Sequence, residues 1–159
     1  MRMLLCSLVG VLAACGPYAG NAKARWVGTA VDVSLAAPAR GGWCPVSRTV
    51  LVDAAAGDRA TGFKWRFDSL KPGTYPIGLP GAADSLGSGA SAAARYIQLD
   101  EIRGYRSING TMTVTAVDTT KISATVSATL QRVGDPDSIH LTATFHAVPL
   151  QRDSTLCPQ

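Results

Sequence analysis

Few side chains in this sequence are equipped for chemistry. His140 and His146 are the only histidines. On an extended strand they share a face but stand six residues apart, about 20 Å, too far to hold one metal ion. Asp135, Asp137, Ser138 and His140 crowd one turn. A nucleophile, a base and an orienting acid form a spatial constellation, however, and closeness in sequence does not assemble one. Gly87-Ser88-Gly89 lacks the following helix that a nucleophile elbow needs. Glu101 is the only glutamate, which removes any Glu-based acid/base pair. No phosphate-cradling or dinucleotide-binding glycine pattern occurs. The expectation is a non-enzyme that carries no metal or cofactor, with an anchored hydrolase as a minor alternative.

A second pattern is periodic. Thr111, Thr113 and Thr115, then Ser123, Thr125, Ser127 and Thr129, then Thr142 and Thr144, recur at every second residue. Such arrays order water on some β-proteins. Threonine is also simply favoured on exposed strands, and that plainer reading is preferred.

The four cysteines carry the clearest message. Met1-Arg2-Met3 gives a positive start, and Leu4 to Leu12 is an apolar run of export-signal length, too short to span a bilayer. No other stretch approaches the length of a transmembrane helix. Ala22-Lys23-Ala24 has the small-x-small spacing of an ordinary cleavage site, but it lies too far past the run. Leu12-Ala13-Ala14-Cys15 abuts the run directly. Small side chains admit a peptidase to the backbone, and a thiol is a soft nucleophile suited to thioether formation.

That tetrapeptide resembles the bacterial lipobox. The resemblance implies a signal peptide over 1–14, a diacylglyceryl group and a further acyl chain on Cys15, and attachment to a membrane. Several acyl chains on one residue anchor durably where one would not. In that class an Asp after the cysteine favours the inner membrane, so Gly16 implies the outer membrane. Residues 15–24 are small and polar and read as a lipidated tether, with one domain over 25–159. Cys6 leaves with the signal, which leaves Cys44 and Cys157 as an even pair in an oxidising compartment. A disulfide between them is expected. Neither has a CxxC partner, so metal binding by them is not.

The mature chain reads as strands. Val27, Thr29, Val31, Val33 and Leu35 alternate, and Ala36 to Gly42 breaks the run. Thr49 to Asp53 is β-branched, and Phe63, Trp65 and Phe67 alternate inward against Lys64, Arg66 and Asp68. Thr74 to Leu79 follows as a strand that Pro76 confines to an edge or a bulge. Residues 80–94 are a loose Gly/Ser/Ala segment, and Arg95 to Ile102 is the next strand. Asn109-Gly110 is read as a hairpin turn. The last third is a meander with Met112, Val114 and Ala116, then Ile122 to Leu130, then Ile139 to Ala147 alternating inward. The expected fold is all-β, an antiparallel β-sandwich, Ig-like or prealbumin-like, of about seven to eight strands.

Phe67-Asp68-Ser69-Leu70-Lys71-Pro72-Gly73-Thr74-Tyr75 resembles the F-x-x-L-x-P-G-x-Y turn of prealbumin-like and Cna-B-type sandwiches. Gly73-Thr74-Tyr75, Asn109-Gly110-Thr111-Met112-Thr113-Val114 and Ile122-Ser123-Ala124-Thr125-Val126-Ser127-Ala128 together are similar to a group of small bacterial lipoproteins of unknown function. That resemblance implies a fold and an address without an activity.

The chain has 159 residues, 47% hydrophobic and 16% charged, with a formal net charge of +4. One domain fits that length. Its cations are scattered, with no basic run and no interleaved stacking aromatics, so no nucleic-acid partner is expected. The function expected is an envelope lipoprotein with a non-catalytic binding or scaffolding domain, held in the membrane through Cys15 and facing an envelope protein partner. The alternative is a small-ligand carrier with a cavity between its sheets.

Overall fold

A computed structural model describes residues 20–81 and 87–157. The expected signal peptide over 1–14, the expected lipidation site Cys15 and residues 82–86 of the loose segment lie outside the described residues. The described chain is all-β. Its strands are β1 (Gly20–Gly28), β2 (Val31–Cys44), β3 (Thr49–Ala56), β4 (Arg59–Arg66) and β5 (Gly73–Ile77). β6 (Gly89–Gln98), β7 (Glu101–Val117), β8 (Lys121–Arg132) and β9 (Ser138–Arg152) follow, with one 3₁₀ turn at Ser154–Leu156.

The order around the sheet is β1-β2-β3-β4-β6-β5-β7-β8-β9, and β9 returns to β1. The sheet is thus one closed barrel of nine strands, where two facing sheets of seven or eight were expected. Closure follows from the long ladder between the first and last strands, Asn21↔His146 through Val27↔His140. Pairing both ends removes the exposed strand edges that an open sheet would have to protect. Below that ladder β9 bends at Ala147 (φ 47°) and pairs in parallel with Gly41, Gly42 and Trp43 of β2.

Several turns sit elsewhere than the sequence pattern indicates. Gly28↔Val31 closes a hairpin at Thr29-Ala30, so Trp26 and not Val27 faces the core, and β2 runs on through Pro38 to Cys44. Residues 20–24, expected to belong to a tether, lie in β1 instead, where Ala22 and Ala24 are buried. Arg95 to Ile102 is not one strand. Gln98↔Glu101 closes a two-residue turn at Leu99 and Asp100, both at positive φ (51° and 62°), in place of the usual Asn or Gly. Asn109-Gly110, by contrast, is no turn. β7 passes straight through it, with a register shift between Ser107 and Asn109. A second shift between Val114 and Ala116 turns Ala116 outward.

β5 is wedged where β6 and β7 part. It pairs with β7 over five residues and meets β6 through one parallel bridge, Ile77↔Ala90. An edge of that kind tolerates Pro76. The fork is tied by Ser107, which is fully buried. Its hydroxyl accepts from the Ala92 N–H at 3.0 Å and donates to the Gly78 carbonyl at 2.5 Å. One side chain therefore satisfies two backbone groups that the split ladder leaves over.

The barrel interior is filled. Inward positions alternate between alanines such as Ala22, Ala37, Ala92 and Ala143 and large side chains such as Trp26, Phe63, Trp65, Met112 and Phe145, all buried. Phe63 meets Phe145 edge-on at 5.0 Å, and Trp65 lies 4.8 Å from Tyr75 and 5.1 Å from Phe67. The turn before β5 closes this end of the core. Tyr75 donates its hydroxyl to the Lys71 carbonyl at 2.8 Å, and Leu70 packs on the cluster. Burial, and secondarily Asp68, raises the Tyr75 pKa above the usual phenol value, so the hydroxyl stays a donor at physiological pH.

Candidate functional site

The outward residues of β3, β4, β6 and β7 form a trough with a volume of about 610 Å³. Strand register decides what lines it. One cross-strand row runs Asp53–Gly62–Ala93–Arg106. The rows on either side are Leu51–Lys64–Ser91 and Ala55–Ala60–Arg95–Gly104. The floor is therefore made of Gly, Ala and Ser. Leu51 (38% exposed), Pro80 and Val133 (62% exposed) stand along it as apolar walls.

Among the described residues, four cations and one carboxylate rim the floor. Arg40 on β2 is held by that carboxylate, its Nε donating to both Asp53 oxygens at 3.1 and 3.2 Å. Lys64, Arg95 and Arg106 are exposed and form no ion pair among the described residues. These four are 24, 31 and 11 residues apart in sequence, so no run or stripe announces them. The fold gathers charge that composition shows as scattered.

The residues singled out from sequence lie elsewhere. His140 and His146 are exposed on the outer face of β9, and the His140 Nε2 is 3.4 Å from the Ser127 hydroxyl. The Asp137 carboxylate accepts from the Tyr105 hydroxyl at 3.2 Å, and Asp135 caps its own turn by accepting from the Asp137 N–H. The Asp–Ser–His cluster of the sequence thus separates into different contacts. Tyr105 is stacked on Tyr96 with ring centroids 6.1 Å apart, and burial, then Tyr96 and Asp137, push its phenol pKa up. At this barrel end Arg132 pairs with Glu101, and Arg103 reaches the same carboxylate at 3.5 Å. Among the described residues no group of three or more His, Cys, Asp or Glu is placed to hold a metal ion.

The hydroxyl pattern becomes a grid. Thr74, Thr113, Thr125 and Thr144 align across β5, β7, β8 and β9, and Thr111, Ser127 and Thr142 form the next row. It covers the wall made by β7, β8 and β9, away from the trough.

No protein-family model, curated protein or solved structure matches this chain.

Cys44 ends β2 and Cys157 follows the 3₁₀ turn; they are joined as a disulfide with Cα atoms 5.4 Å apart. The bond closes a separation of 113 residues. It acts beside two hydrogen bonds, from the Asp153 N–H to the Trp43 carbonyl and from the Ser47 hydroxyl to the Leu156 carbonyl. Reduction is expected to cost about 2 to 4 kcal/mol and to lower the melting temperature on the order of 10 °C. A thiol assay on the unfolded, non-reduced mature protein checks the pairing; two titratable thiols from this pair would refute it.

Proposed function

We propose that this chain is a lipid-anchored protein of the bacterial cell envelope whose barrel is a non-catalytic binding or scaffolding module. The observation that carries the binding reading is the trough. Three cations that form no ion pair among the described residues surround a floor of small residues on an otherwise ordinary barrel wall. Surface charge gathered in this way and left uncompensated favours an anionic partner and speeds its approach. The packed interior, with Trp26, Phe63, Trp65, Met112 and Phe145 all buried, favours the outer wall over an internal carrier cavity.

The anchor rests on Leu12-Ala13-Ala14-Cys15 and the apolar run before it. The resemblance to small bacterial lipoproteins belongs to this reading, as does an outer-membrane address from Gly16. Four residues separate Cys15 from Gly20, where β1 begins, a reach of at most about 18 Å. Lipid on Cys15 would hold that end of the barrel near the bilayer and leave the side wall open to a partner. Cys15→Ala is expected to accumulate as a longer precursor with no acyl mass. Immunoblots of membrane fractions, scored for precursor length and for labelling by a fatty-acid analogue, check this. Normal processing and labelling of the variant would exclude Cys15 as the anchor.

A further inference from the structure

We infer that the trough takes an extended peptide segment of a partner protein with the pattern acidic–x–aliphatic–x–acidic, an inference that rests on the binding reading above. It starts from Gly104. A glycine inside a strand weakens the strand and usually answers a local need. Gly62, in the same trough, has one, since a Cβ there would run into the Val52 carbonyl. Gly104 has none. A Cβ placed on it meets nothing within 4 Å, and its φ is not in the left-handed range. The space above it is open, and such glycines mark places where another chain or a ligand comes close.

The spacing of the charges sets the pattern. Lys64 lies opposite Ser91, and Arg95 is four residues further along β6, about 13 Å in the strand direction. In an extended peptide, side chains facing one way recur about every 6.6 Å, so carboxylates two such steps apart reach Lys64 and Arg95 together. The side chain midway between them falls over Gly62 and Ala93, where the floor carries nothing larger than a methyl group and leaves room for a Leu or Val. Arg106, across the same row, is available to a third carboxylate.

Other partners fit less well. The barrel is closed, so this wall has no free edge on which a strand could add by main-chain pairing, and recognition falls to side chains. Phe63 and Tyr105, the aromatic residues beneath the trough, are 1% and 2% exposed, which leaves no ring face to stack a sugar or a base.

The test uses the mature protein in mild detergent and a labelled peptide containing Glu-Ser-Leu-Ser-Glu, read by fluorescence anisotropy. Binding is expected, weakening about tenfold or more in Arg95→Glu and at high salt. Gly104→Val is expected to bind at least about tenfold more weakly while melting at the same or a higher temperature, because a β-branched residue suits the strand. Peptides with Lys for Glu, or Ser for Leu, are expected to bind at least about tenfold more weakly. No binding up to about 1 mM, or binding indifferent to both variants, overturns the inference. So does a fall in melting temperature for Gly104→Val, which would give Gly104 an intramolecular role. Polygalacturonate or anionic vesicles that bind instead, and lose binding in the two variants, overturn the peptide partner but leave the trough as a site. If no ligand class responds to the variants, the binding reading fails with it.

Discussion

Trp65→Ala is expected to lower the unfolding free energy by about 3 to 5 kcal/mol, the range of large-to-small changes in packed cores. Trp65 is fully buried and touches Phe67 and Tyr75, so its removal opens a void at the end of the barrel closed by the Leu70–Tyr75 turn. Partial collapse onto the void decides where in the range the value falls. Its neighbour Lys64 points outward, and Lys64→Ala is expected to change stability by less than about 1 kcal/mol. Urea unfolding curves of the two variants check the pair. A larger loss for Lys64→Ala would mean that β4 presents the opposite face to the core.

Gly110→Ala is the second large effect, and it arises from the backbone. Gly110 sits at φ 146°, which an L side chain rarely adopts. An added Cβ would also run into the Ser127 carbonyl and come within 2.6 Å of the Ala128 Cα, both on the paired strand β8. Strain and crowding of these kinds each cost about 1 to 3 kcal/mol, and β8 cannot yield without disturbing its ladder to β9. A loss of about 2 to 5 kcal/mol is expected. Denaturation midpoints compared with those of Asn109→Ala, an exposed neighbour on the same strand, separate this cost from a general sensitivity of the segment. Equal midpoints for Gly110→Ala and the parent would contradict the described path of β7 beside β8.

Gly110 also shows why part of the fold was legible and part was not. Asn-Gly is a strong turn cue because it tolerates positive φ. Here the tolerance serves a strand that bulges and passes close to its neighbour. The true hairpin lies ten residues earlier at Leu99-Asp100, where Leu99 is an unusual choice for positive φ and no glycine marks the turn. The period-two pattern located the inward residues of β4 and β8 and most of those of β9, because each lies between one buried and one wet face. That pattern has no term for which strands become neighbours, so it does not distinguish a closed barrel from two facing sheets. Closure depends on the pairing of β1 with β9, more than a hundred residues apart.

The trough was hidden for the same reason. Arg40, Lys64, Arg95 and Arg106 are each an ordinary outward residue on a strand. Only register places them around one floor. The nearest signal in the sequence is Gly104, a glycine inside an alternating stretch with no turn beside it. The histidines and the Asp-rich turn drew notice by residue type, yet the folded chain sends them to separate partners.

We propose that Cys15 ties a binding barrel to a membrane. Intact-mass spectrometry of the mature protein from its own envelope tests it most directly. The expected result is an N-terminus at Cys15 carrying the mass of a diacylglyceryl group and a further acyl chain. A mature N-terminus at Arg25, or at any other residue with no acyl mass, would contradict it.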